Sequence, residues 1–145
     1  MQCAAAQTPP RSLRILIVED ERDVLDMLQE VLARAGHRVI AAPDGKAGLA
    51  CFQRQPFDIV LTDLNMPGIS GFDLATGIKK INQSMPVLLL TGWAGELKEA
   101  ELTANGIDCI IKKPFATADL LQALDDLYGA RKKTASWPKS VGHKN

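Results

Sequence analysis

Five short runs of apolar, β-rich sequence, each followed by a longer stretch of helical period, constrain this chain more than any other feature. The runs are Leu13–Val18, Val39–Ala42, Ile59–Leu61, Val87–Leu90 and Ile107–Ile111. They are too short for helices and nearly continuous in Ile, Val and Leu, as strands covered on both faces must be. Between them the apolar residues recur every three to four positions. Val24, Leu25, Leu28, Val31 and Leu32 form one such stripe, closed by Gly36 as a left-handed cap. A second helix is expected from Asp44–Gly45 to just before Pro56, and a third from Gly71 to Ile81, with Leu74, Ala75, Ile78 and Ile81 on its inner face. A fourth, with a thin apolar stripe, is expected from Ala94 to Ala104. The last is expected to start at an N-cap Thr117, to carry Leu120, Leu121, Leu124 and Leu127, and to end before Gly129. Strand–helix alternation of this kind, with right-handed crossovers, gives an α/β doubly wound (βα)5 fold around a five-stranded parallel sheet.

One domain, residues 13–129, accounts for this pattern. Residues 1–12 lack the features of a signal peptide, and no apolar run is long enough to span a bilayer, so a cytoplasmic location is expected. Three cysteines, Cys3, Cys51 and Cys109, are too few and too scattered for a disulfide framework or a zinc site. The 17 basic and 17 acidic residues cancel, which removes any global field toward nucleic acid or an anionic membrane. Residues 130–145 carry Arg131, Lys132, Lys133, Lys139 and Lys144 without an acidic residue, and read as a basic, disordered tail.

In an open α/β sheet, ligands bind beyond the carboxyl ends of the strands. Four strand ends here are polar: Glu19–Asp20–Glu21, Thr62–Asp63, Thr91 and Lys112–Lys113. Each has an ordinary explanation alone, as a cap, a turn or a solvated charge. Their joint occurrence on one edge does not. Carboxylates from two strands held about 4 Å apart would repel by about 4 kcal/mol at an effective dielectric near 20, so a cation is needed among them. Hard oxygen donors without His or Cys suit Mg²⁺ rather than zinc. A carboxylate beside that cation can attack phosphorus, and Asp63 is the best candidate. Lys113 and Thr91 could stabilise the transferring group. Because side chains alternate along a strand, only one of Lys112 and Lys113 should reach the site.

These residues resemble the CheY-like response-regulator receiver family over about Leu13 to Tyr128. The resemblance is carried by Glu19-Asp20-Glu21 after the first strand, Thr62-Asp63-Leu64-Asn65-Met66-Pro67-Gly68 followed by Gly71, Leu90-Thr91-Gly92, and Lys113-Pro114-Phe115. It implies strand order 2-1-3-4-5 and a phosphoacceptor role for Asp63 in a His-to-Asp phosphorelay, supplied by a histidine kinase or a histidine phosphotransfer protein. It also implies Mg²⁺ (or Mn²⁺) held by Asp20, Asp63 and the backbone carbonyl of Asn65, with Glu19 acting directly or through water. Lys113, before a cis bond to Pro114, would hold a phosphoryl oxygen, and Thr91 would move toward it to shift the region after the fourth strand. The output would pass to an unknown downstream protein, with no direct nucleic-acid or membrane contact. The domain would catalyse its own phosphorylation and dephosphorylation rather than turn over a substrate. Such a segment could equally be cut from a hybrid histidine kinase; the alternative of a receiver-like interaction module that is never phosphorylated has intact Asp20, Asp63, Thr91 and Lys113 against it.

The family usually has Tyr or Phe where this chain has Ile110, so an aromatic rotamer switch is not expected. Trp93, two residues past Thr91, reads either as a packing residue or as a group that gates water or meets a partner. A haloacid-dehalogenase-type phosphatase would need an acid at position 65, where this chain has Asn65. A flavodoxin-type cofactor site would need a glycine-rich loop after Val18, and none is there.

Overall fold

The structure is a computed structural model, describing residues 12–92 and 97–133, with side chains through Gly129. Its strands are β1 (Arg14–Val18), β2 (Arg38–Ala42), β3 (Ile59–Asp63), β4 (Val87–Thr91) and β5 (Cys109–Lys112). The helices are α1 (Arg22–Arg34), α2 (Gly45–Arg54), α3 (Gly71–Ile81), α4 (Glu99–Ala104) and α5 (Thr117–Lys133). All strand pairs are parallel and the sheet order is β2-β1-β3-β4-β5. The expected doubly wound fold and strand order are both found.

Strand alternation divides the core into two layers. Ile15, Ile17, Ile59, Leu61, Leu88 and Leu90 face α1 and α5, where Leu28, Leu32, Leu120, Leu124 and Leu127 meet them. Leu16, Val18, Val60, Val87 and Leu89 face the other side, against Phe52 of α2, Leu74 and Ile78 of α3 and Leu102 of α4. Every residue of β3 and β4 is buried, which explains why these runs are apolar without alternation. Only the edge strand β2 shows an exposed–covered alternation.

Local chemistry sets several helix ends. Gly36 takes φ 97° after α1, a conformation costly for any residue with a Cβ. The side chain of Asp44 accepts the Ala47 N–H at the start of α2. Ser70 and Asp73 form a reciprocal capping box at the start of α3, satisfying two N–H groups that would otherwise lack partners.

Five expectations about the elements are corrected. Ile81, expected on the inner face of α3, is half exposed as the last residue of that helix. The fourth helix begins at Glu99, with Lys98 as its cap residue; positions 94–96 of the expected helix lie outside the described residues. β5 begins at Cys109 rather than Ile107, because the Ile107 N–H turns back to the Leu102 carbonyl. At the last helix the Ala116 carbonyl, not Thr117, takes the first N–H groups. That helix passes through Gly129 to Lys133. One helical glycine costs only about 1 kcal/mol against alanine, too little by itself to end a helix.

Among the described residues, Cys51 and Cys109 are free thiols, and burial pushes the Cys109 thiol up to about 12, leaving it without nucleophilic thiolate. No described helix is long and apolar enough to cross a membrane.

Candidate phosphoacceptor and metal site

β1 and β3 are hydrogen-bonded neighbours, in register from Ile15–Ile59 to Val18–Thr62. Their chains therefore leave the sheet side by side, and Glu19 and Asp20 emerge beside Asp63. One carboxylate oxygen from each of Glu19, Asp20 and Asp63 lies within 4.8 Å of the others. Glu19 and Asp63 are buried, while Asp20 faces solvent.

Lys113 follows the exposed Lys112 at the end of β5 and turns inward, as alternation requires. Its Nζ stands 3.1 Å from Asp63 Oδ1 and 3.4 Å from Glu19 Oε1. The peptide between Lys113 and Pro114 is cis, and the Lys113 N–H donates to the Thr91 carbonyl at 2.9 Å. Thr91 ends β4, one position past the Asp63–Leu90 register pair, and is almost fully buried. Asn65 lies on the exposed turn after β3. The structure thus brings together Glu19, Asp20, Asp63 and Lys113, with Thr91 on the strand between β3 and β5.

The electrostatics follow from burial. Desolvation pushes the Asp63 carboxyl above its ordinary range; Lys113 pulls it back, and Asp20 adds to the rise. Glu19 is also raised, by burial and then by Asp63, against the opposing Glu21 N–H and Lys113. Burial alone would lower the Lys113 ammonium, but hydrogen bonds and charge from Asp63 and Glu19 outweigh it and hold it above its usual value. Three carboxylates face one ammonium, so with all groups ionised the cluster carries a net charge of −2. An all-oxygen, anionic donor set of this kind fits a small hard dication.

Residues 15–125 match the response regulator receiver domain family. The chain belongs to that family. It is a receiver domain of two-component signalling.

The receiver is 40% identical over 107 residues to the transcriptional regulatory protein YrkP of Bacillus subtilis, covering 74% of this chain and 46% of that protein. It is 38% identical over 133 residues to the virulence sensor protein BvgS of Bordetella pertussis, covering 85% of this chain and 11% of that protein. The match thus spans less than half the length of either relative. Among solved structures, the response regulator TrrA of Thermotoga maritima, in complex with Mg²⁺-BeF, superposes with a TM-score of 0.72. It shares 31% identity over 79% of this chain and 97% of that one.

Two features of the receiver escaped sequence reasoning. Thr62, read only as part of the strand end, donates its hydroxyl to the Asp63 carbonyl at 2.9 Å. The Glu21 N–H donates to Glu19 Oε2, which fixes the rotamer of the buried acid. Ile110, at the position where the family usually has an aromatic, packs inward against the layer beneath α2, α3 and α4. Trp93 lies outside the described residues.

Proposed function

We propose that Asp63 is the phosphoacceptor of this receiver and that it takes the phosphoryl group from a phosphohistidine on a histidine kinase or histidine phosphotransfer protein. The observation that carries the proposal is the Lys113 ammonium 3.1 Å from Asp63 Oδ1, in a cluster whose other members, Glu19 and Asp20, are carboxylates.

An Asp63 carboxylate oxygen attacks phosphorus, the P–N bond to the donor imidazole breaks, and the bond pair leaves with the imidazole. Lys113 neutralises charge on a phosphoryl oxygen, and the Thr91 hydroxyl donates to another. Asp20, Asp63 and the Asn65 carbonyl would hold Mg²⁺ or Mn²⁺, with Glu19 contributing directly or through water; bound there, the ion supplies the charge neutralisation that phosphoryl transfer requires. Hydrolysis of the acyl phosphate by water resets the domain, so the protein acts as a self-modifying switch rather than an enzyme of turnover. Residues 13–129 form the functional unit, working in the cytoplasm. Its output is a phosphorylation-dependent contact with another protein, not with nucleic acid or membrane.

The test is intact mass measurement after incubation with acetyl phosphate and Mg²⁺, with Asp63→Asn as control. A phosphoryl adduct on the wild type alone supports the proposal. A wild type that gains none, or an Asp63→Asn protein that gains the same adduct, overturns it.

A further inference from the structure

Thr62 occupies a position where its chemistry is out of place. It lies in β3 with no solvent exposure and shares the strand face of Val60, which packs in the layer under α2, α3 and α4. Valine has the same shape and none of the cost of burying a hydroxyl, which without a partner amounts to about 1–3 kcal/mol. The hydroxyl is satisfied by one acceptor, the backbone carbonyl of Asp63, at 2.9 Å.

The same peptide is held from two further directions, and the next peptide from one. The Leu64 N–H donates to the Leu90 carbonyl at 3.3 Å, and the Leu64 carbonyl accepts the Gly71 N–H at 2.9 Å. Gly71 also presses its bare Cα against the strand end: a Cβ there would stand 2.4 Å from the Asp63 carbonyl oxygen and 3.0 Å from the Leu64 Cα. The plane of the Asp63–Leu64 peptide is therefore fixed. That plane limits the direction in which the Asp63 side chain leaves the backbone.

We infer that Thr62 is a positioning residue of the metal and phosphoacceptor site: its buried hydroxyl orients the Asp63–Leu64 peptide, and through it the Asp63 carboxylate. This rests on the reading of Asp63 as phosphoacceptor and of its carboxylate as a metal ligand. The hydroxyl touches neither cation nor phosphoryl group. Its contribution is pre-organisation, and loss of such an outer hydrogen bond typically weakens metal affinity by about ten- to a hundredfold.

The experiment uses two matched pairs in the full chain: Thr62→Val against wild type, and Thr62→Ala against Thr62→Ser, which share the loss of the methyl and differ only in the hydroxyl. Mg²⁺ affinity is measured by calorimetric titration of chelator-treated protein, and the acetyl phosphate rate by intact mass. Urea midpoints report stability separately. Expected is Mg²⁺ binding at least about tenfold weaker in Thr62→Val, and weaker in Thr62→Ala than in Thr62→Ser, with Thr62→Ser close to wild type. Equal Mg²⁺ affinity within each pair overturns the inference, even if the urea midpoints differ, because a merely structural threonine moves stability alone. Failure of the underlying reading looks different: wild type itself would then bind no Mg²⁺ or take no phosphoryl group.

Discussion

Lys113 and Asp63 stand 50 residues apart in the chain and 3.1 Å apart at the sheet's edge. The contact spans β4, since Asp63 ends β3 and Lys113 follows β5. It leaves the ammonium shared between Asp63 and Glu19, so before any metal or phosphoryl group arrives, one cation partly neutralises two buried acids. Replacing Lys113 should therefore separate two effects. In Lys113→Met, the rate of phosphorylation from acetyl phosphate should fall by about 10²–10³, the usual cost of one electrostatic donor at a reacting centre. Mg²⁺ should bind at least as tightly as in wild type, because a competing cation is gone. Parallel rate measurements and Mg²⁺ titrations check both; a variant that keeps its rate would remove Lys113 from the mechanism.

Metal should stabilise the fold. At a free Mg²⁺ concentration ten times its dissociation constant, linkage gives about 1.4 kcal/mol, which for a domain of this size is a rise in melting temperature of roughly 4–6 °C. Chelator should reverse it, and Asp20→Asn should abolish most of it at the same Mg²⁺ concentration. Thermal melts with and without EDTA measure both.

At the opposite end of the sheet, Lys79 of α3 reaches Asp108 Oδ2 at 2.7 Å, and the same oxygen accepts the Val87 N–H at 2.9 Å. Burial raises the Asp108 carboxyl while Lys79 and the Val87 N–H hold it down. Lys79→Met strands a largely buried carboxylate and should destabilise the protein by about 3 kcal/mol. Adding Asp108→Asn should recover part of that loss, because the amide oxygen can still accept the Val87 N–H without carrying charge. Urea denaturation of both single variants and the double variant gives the coupling.

His37 should give the fold a pH dependence near neutrality. Its Nδ1 accepts the Leu13 N–H at 3.1 Å, which an imidazolium cannot do. Burial lowers its pKa, with Asp125 opposing. Below the ordinary histidine value the unfolded chain takes up a proton that the folded chain refuses, so stability is lost as pH falls from about 7 toward the depressed folded value. The slope is at most about 1.4 kcal/mol per pH unit. The raised carboxyls of Glu19, Asp63 and Asp108 act in the opposite sense, since there the folded form holds the proton more tightly. Comparing wild type with His37→Gln at pH 7 and pH 5 cancels them: wild type should lose more stability than the variant. Equal losses would show that His37 does not contribute.

The fold and the acidic site were legible in the sequence because both are written locally. Buried parallel strands must be continuously apolar, so β1, β3 and β4 announce themselves. Their polar ends mark the one edge where the chain leaves the sheet, and hence Glu19, Asp20, Asp63, Thr91 and Lys113. Sequence also limited the site to one of Lys112 and Lys113, because the two-residue period of a strand permits only one to turn inward. Tertiary structure decided what depends on distance between segments. The pairing of Lys79 with Asp108, the acceptance of the Leu13 N–H by His37, and the close approach of Gly71 to Asp63 arise from register and helix docking, which no local window contains. Helix limits departed from the local reading too: α5 crosses Gly129 to Lys133, because one helical glycine costs only about 1 kcal/mol. The Thr62 hydroxyl is a different case, since its acceptor is the carbonyl of the next residue. In the sequence it is one more β-branched strand residue, and only the neighbouring backbone's course shows which carbonyl it holds.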